Sequence, residues 1–466
     1  MTTAGESDDR AGLERRLTGR QLAMIGLGGA IGTGLFLGSS LAISQAGPAT
    51  IVAYVVCALV ALVIAWALAE MVVVHPTAGA FGAIAHMYLG GWAGFVTRWT
   101  YWTIQVIAVG GEVIAAGIYI QYWWPQIPLW LPVVVFSLAV LAVNALAVRV
   151  FGEFEYWFAM VKVAAIVVFL LLGAALIVFG LPGTHPTGVH NLTAHGGFLP
   201  NGVGGLFLAL VFVIFSFIGT EVVAVTAAES ENPTHDIPRA ARRMVLRLVL
   251  FYVLAIGVVL CIVPWTVTAQ VGDNIVASPF VRVLGAANVP AAATVMNFVV
   301  LTAALSSANA NLYLTSRMMH SLAAHGFAPR WTGRVSGSGV PRNALVLSAI
   351  GLGLAAYLSA AFPKSAYVII FGISIFGALV VWILILLTHM RFRQVRRKQG
   401  VPAAPVRLWG APVTTVLGAL FLFAILVSTA FVEGLTTAWQ AGIPFFVLLT
   451  IIYAGVRRAR RNREPT

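Results

Sequence analysis

Twelve apolar stretches, each long enough to cross a hydrocarbon layer of about 30 Å, follow one another with short connections. They lie near residues 20–43, 48–73, 92–121, 130–148, 155–181, 201–228, 241–265, 288–314, 343–361, 366–390, 411–432 and 439–456. In lipid, every backbone N–H and C=O has to be satisfied internally, and a run of this length does so as an α-helix. The chain is therefore expected to be an all-α integral membrane protein with twelve transmembrane helices, numbered here as spans 1 to 12. Composition agrees, since 60% of the 466 residues are hydrophobic and only 9% are charged. Soluble domains carry far more charge.

The net charge of +13 raises the question of nucleic acid, but its placement answers otherwise. All the Lys and Arg except Lys162, Arg282 and Lys364 fall in the two tails, in the even-numbered loops, or at span ends beside those loops. That is the pattern of cytoplasmic segments, so both termini are expected inside. The dense runs at Arg239–Arg247, Arg391–Lys398 and Arg457–Arg463 suit anionic membrane lipids, and no nucleic-acid partner is expected. Residues 1–16 lack the apolar core of a secretory signal, so span 1 reads as an uncleaved helix. Cys57 and Cys261 read as small hydrophobes.

Within span 1 the sequence Gly28-Gly29-Ala30-Ile31-Gly32-Thr33-Gly34-Leu35-Phe36 holds four glycines in seven residues. Each costs a helix about 1 kcal/mol relative to alanine. An unwound segment explains them: backbone groups released from the helix can hold a ligand where protein shields them from lipid. Span 6 repeats the anomaly with Phe215-Ser216-Phe217-Ile218-Gly219-Thr220-Glu221, followed by Ala228–Pro233 at its cytoplasmic exit. Two interrupted helices, each first in a block of five, point to a five-plus-five inverted repeat, because an odd number of helices per block reverses orientation. The binding site is expected at the bilayer midplane.

Span 3 aligns Tyr101, Gln105, Ala108, Glu112, Ala115 and Tyr119 on one face, which must look inward because a carboxylate facing lipid costs several kcal/mol. Span 8 does the same with Thr302, Ser306, Asn309, Tyr313 and Ser316, with Ser307 and Asn311 beside them; this stripe is read as pocket lining more than helix-to-helix contact. Lys162 is the one lysine in a hydrocarbon-spanning segment. Its ammonium must find a partner or give up its proton, and either outcome serves proton coupling. The other reading is a lysine fixed against carbonyls of the broken span 1. Tyr122, Trp123, Trp124 and Trp130 form an interfacial belt, and His185, His190 and His195 fall in a Gly/Pro-rich outer loop without metal-ligand spacing.

Four segments resemble one family. They are Gly-Ala-Ile-Gly-Thr-Gly-Leu-Phe in span 1, Gly152–Lys162, Phe-Ile-Gly-Thr-Glu through Glu-Ser-Glu-Asn-Pro in span 6, and Asn309–Met318. Together and in this order they resemble bacterial amino acid permeases of the amino acid-polyamine-organocation (APC) superfamily. The resemblance implies an APC-type core with broken helices 1 and 6 and two peripheral helices. Its parts would be a cytoplasmic arm at 1–19, a transport core at 20–390 (helices 1–5 at 20–181, helices 6–10 at 201–390), a basic loop at 391–410, helices 11 and 12 at 411–456, and a tail at 457–466.

By the same resemblance, the chain imports an amino acid across the bacterial plasma (inner) membrane by proton-coupled alternating access. The substrate carboxylate would meet Gly32, Thr33 and Gly34. Its ammonium would meet carbonyls around Ala30 and at Phe215, Ser216 and Ile218, with Phe215 also as an aromatic gate. Lys162 would occupy the place of a coupling cation. Side-chain selectivity falls to Gln105, Ser307, Asn309 and Phe215, while Glu221 and Glu112 stand as structural or pocket acids. A neutral amino acid is favoured. A basic amino acid, γ-aminobutyrate, obligate exchange and a transporter-like nutrient sensor remain alternatives. With no midspan His/Asp/Cys constellation, an enzyme is not expected, nor is a metal or cofactor.

Overall fold

The computed structural model describes residues 32–75, 80–145, 148–180, 185–221, 233–268, 278–286, 290–336, 340–432 and 434–461, and among these it is helix and turn, with no strand. In chain order the α-helices are α1 (Thr33–Phe36), α2 (Gly38–Ala46), α3 (Thr50–Val74), α4 (Ala80–Leu89), α5 (Gly91–Gln121), α6 (Trp130–Ala145), α7 (Val148–Val178), α8 (Gly202–Phe215) and α9 (Pro233–Ile262). They continue with α10 (Trp265–Thr268), α11 (Pro279–Ala286), α12 (Pro290–Ala324), α13 (Arg342–Ser348), α14 (Ile350–Ala361), α15 (Ala366–Lys398), α16 (Val413–Ser428) and α17 (Thr436–Arg461). Among the described residues, eight helical stretches are long and apolar enough to cross a membrane, and Trp130–Ala145, Gly202–Phe215 and Leu248–Ile262 are shorter apolar helices.

Several boundaries differ from the sequence reading: α7 begins at Val148, α9 begins at Pro233, and α15 runs to Lys398, into the basic loop expected at 391–410. The helix of span 8 does not end near 314 but runs on to Ala324. No breaker interrupts it before Gly326, and helix-forming residues carry it past the apolar stretch. Ala80–Leu89, in the connection between spans 2 and 3, also folds as helix, α4.

The central element is α5, which packs against α12, α14 and α15. Its approach to α14 is backbone to backbone: a Cβ on Gly110 would lie 2.6 Å from the Gly351 carbonyl oxygen. Small residues let membrane helices close to this distance, where dispersion replaces the hydrophobic effect as the attraction. At the other extreme, α17 turns Ile443, Val447, Leu448 and Ile451 outward, so most of its apolar surface is left for lipid.

At the end of α3 a buried carboxylate ties several segments together. Glu70 accepts hydrogen bonds from Arg393 Nε at 2.8 Å and the Leu408 amide at 2.7 Å, and pairs with His389 Nε2 at 3.0 Å. His389 in turn meets Thr415 of α16 at 3.1 Å. Next to it His75 shares a 2.7 Å hydrogen bond with Tyr88, and burial, aided by Arg396, holds its imidazole below the usual histidine range. Glu70→Gln is expected to lower stability by about 1–3 kcal/mol through unmatched donors. Thermal unfolding of the purified protein checks this.

Candidate functional site

The described chain begins at the glycine run of span 1, so Ala30 lies outside the described residues. Gly32 is extended, and the helical run from Thr33 starts directly after it. The Thr33 amide is therefore not used by its own helix. It donates to Glu112 of α5, at 3.2 Å to Oε2 and 3.4 Å to Oε1. Ser307 of α12 donates its hydroxyl to Oε1 of the same carboxylate at 3.1 Å. A Cβ on Gly32 would lie 2.5 Å from Glu112 Oε1 and 2.8 Å from Ser307 Oγ, so only glycine leaves room for this group. Lys162 of α7 is fully buried and lies near enough to Glu112 for their charges to interact.

In span 6 the regular helix α8 stops at Phe215. Amides of Ser216, Phe217, Ile218 and Thr220 then bond only three residues back, the tighter turn that often ends a helix. Gly219 takes φ +102°, a conformation open to glycine and strained for other residues. Glu221 holds this turn in place. Its carboxylate accepts the Gly219 amide at 3.0 and 3.1 Å and Trp382 Nε1 of α15 at 3.2 Å, and the Tyr101 hydroxyl of α5 is a further partner. Gln105 joins from α5 through its own contact with Tyr101 at 3.3 Å.

Spans 1 and 6 touch here. A Cβ on Gly34 would lie 3.0 Å from the Phe215 ring and 3.1 Å from Ser216 Cα. Next to that contact lies a group of rings: Phe215 stands 4.3 Å from Phe371, and Tyr367 stands 5.5 Å from Phe371. The Tyr367 hydroxyl donates to the Thr33 carbonyl at 3.4 Å. Further along, α2 and α8 pack closely, and Asn201 donates to the Gln45 carbonyl at 2.8 Å. Phe215, Ile218 and Gly219 nevertheless keep part of their surface exposed.

Of the residues singled out in the sequence, Gly32, Thr33, Ser307, Glu112 and Lys162 come together, and Gly34, Phe215 and Ser216 form the adjoining contact. Ile218 belongs to the turn below Phe215, and its amide occupies the Phe215 carbonyl at 3.1 Å. Asn309 points elsewhere: its Oδ1 accepts from Asn144 of α6 at 2.7 Å. Tyr367, Phe371 and Trp382 were missed. They repeat at helical spacing along span 10, but an aromatic in an apolar span carries no sign in sequence of which neighbour it meets.

The chain matches the family model for amino acid permeases over residues 21–462. It is 40% identical over 429 residues to the gamma-aminobutyric acid permease of Bacillus subtilis (strain 168), covering 92% of this chain and 90% of that one. It is 40% identical over 443 residues to the aromatic amino acid transport protein AroP of Escherichia coli (strain K12), covering 95% of each. AroP of Salmonella typhimurium (strain LT2) is 39% identical over 439 residues, 94% of each. These relatives are permeases, not enzymes. With long apolar helices among the described residues and a match across almost the whole sequence, this chain belongs to the amino acid permease family.

Proposed function

We propose that this permease imports an amino acid of zero net charge across the bacterial inner membrane, by alternating access, with protons as the driving ion. The proposal includes twelve spans in a five-plus-five inverted repeat and cytoplasmic termini. The observation that carries it is the contact of spans 1 and 6 at Gly34 and Ser216, with the Thr33 backbone donor on Glu112, whose charge interacts with that of the buried Lys162. A zwitterion presents one anionic and one cationic end. Backbone amides freed at one break and carbonyls freed at the other accommodate both ends without a fixed charge on the protein. Of the relatives' named substrates, aromatic amino acids belong to the neutral class and γ-aminobutyrate is the alternative; both are zwitterions of zero net charge, and neither is a basic amino acid.

Lys162 is assigned the coupling role. A buried ammonium that alternates between paired and deprotonated states makes transport depend on the proton gradient. The test is uptake of labelled amino acids, γ-aminobutyrate and L-phenylalanine included, into proteoliposomes with and without an inside-alkaline gradient. Accumulation that collapses with a protonophore is the expected result. Lys162→Ala is expected to lose gradient-driven accumulation while retaining exchange against preloaded substrate. Uptake by the variant with the wild-type dependence on the gradient would return Lys162 to a structural role, and flux seen only against preloaded substrate would make the protein an exchanger.

A further inference from the structure

The transport reading leaves Glu112 without a task, although its carboxylate sits in the middle of the proposed site. It takes the Thr33 amide with both oxygens and the Ser307 hydroxyl with one. Gly32 leaves just enough room for it. A carboxylate is thus already seated on the Thr33 amide, the donor that an incoming amino acid carboxylate would use, and on Ser307, a hydroxyl read as facing the substrate's side chain. Two carboxylates cannot hold one amide and one hydroxyl together, because like charges this close disfavour each other's ionised form and the space beside Gly32 admits one.

We infer that Glu112 is a built-in stand-in for the substrate carboxylate: it fills the anion subsite of the empty transporter, and substrate binds there only when Glu112 has left. The inference rests on the reading of Thr33 and Ser307 as substrate contacts. Its chemistry is an exchange of hydrogen-bond acceptors. The displaced carboxylate takes up a proton from solvent, forming an O–H bond and losing its charge. The charged and titratable groups around it are Lys162 from α7, Tyr252 from α9, Tyr367 from α15 and Tyr119 on α5 itself. Among these only Lys162 carries charge of the opposite sign. Since protonation empties the subsite, protons and substrate promote each other's binding, and by linkage each raises the other's affinity by the same factor. Substrate binding is therefore tighter at acidic than at alkaline pH.

The test uses the full-length protein in detergent with two variants. In Glu112→Ala the subsite is vacant, so acetate, a free carboxylate, is expected to raise the thermal unfolding temperature saturably, where chloride at equal ionic strength does not; wild type, with Glu112 in place, does not respond. In Glu112→Gln, which keeps the shape without the charge, γ-aminobutyrate and L-phenylalanine are expected to bind with little dependence on pH and about tenfold more tightly than to wild type at neutral pH, a size usual for coupled sites. Should Glu112→Ala fail to fold, this second variant decides the matter. Unfolding of Glu112→Ala indifferent to acetate, or weaker probe binding by Glu112→Gln with the wild-type pH profile, would overturn the inference. An acetate response without binding of either probe to any form would uphold the subsite and place the error in the substrate class.

Discussion

Gly32→Val is expected to reduce uptake to the background of empty liposomes while the protein still reaches the membrane. The added Cβ alone would lie 2.5 Å from Glu112 Oε1, 2.8 Å from Ser307 Oγ and 3.2 Å from Glu112 Cδ. All are well inside the separation of about 3.5–4 Å at which such atoms attract. Valine adds two methyls beyond that, so α5 and α12 must yield or the Thr33 amide must lose its acceptor. Any carboxylate brought by a substrate would meet the same obstruction. Uptake and probe binding measured on the reconstituted variant check this, and wild-type affinity would show that the anion subsite lies elsewhere.

Glu221→Ala is expected to be the most destabilising single change at the site, and to abolish transport with it. The residue is fully buried, and its removal strands the Gly219 amide and the Trp382 indole N–H, each at a cost of about 1–3 kcal/mol. The Gly219 amide belongs to a turn that no regular helix supports, so its loss lets the span 6 break rearrange. Glu221→Gln, which keeps one acceptor oxygen, is expected to fall between the variant and wild type. Thermal unfolding in detergent and the amount recovered from membranes give the readout; an alanine variant that melts with wild type would mean that the turn is held by other contacts.

Much of this arrangement can be read from the chain before any coordinates. Glycines singled out spans 1 and 6 because glycine in a lipid-embedded helix has a cost that only a special backbone justifies, and in span 6 the regular helix ends at Phe215, just before the left-handed Gly219. Glu112 on span 3 had to face inward because lipid cannot solvate a carboxylate, and its partner Thr33 was already a nominated residue. Asn309 is the instructive counter-example. Its helical spacing with Thr302, Ser306 and Tyr313 put it on a polar face, but spacing fixes only a direction around the axis. Whether that direction holds a ligand or another helix depends on where α6 lies, and there Asn144 takes its side chain.

The cluster around Glu70 illustrates the same limit at longer range. Its partners His389, Arg393 and Leu408, and Thr415 behind His389, follow it by more than three hundred residues, and no local pattern announces the meeting. Helical character, membrane residence and the end of the regular helix ahead of Gly219 follow from the sequence alone, because they depend on local quantities: transfer of apolar side chains, backbone satisfaction in lipid, and the conformational range of glycine. The pairing of Glu112 with Thr33 and Ser307, and of Glu221 with Gly219 and Trp382, was decided only by tertiary packing. A buried polar group must have a partner, but which one it finds is set by the helices that reach it first at hydrogen-bond distance.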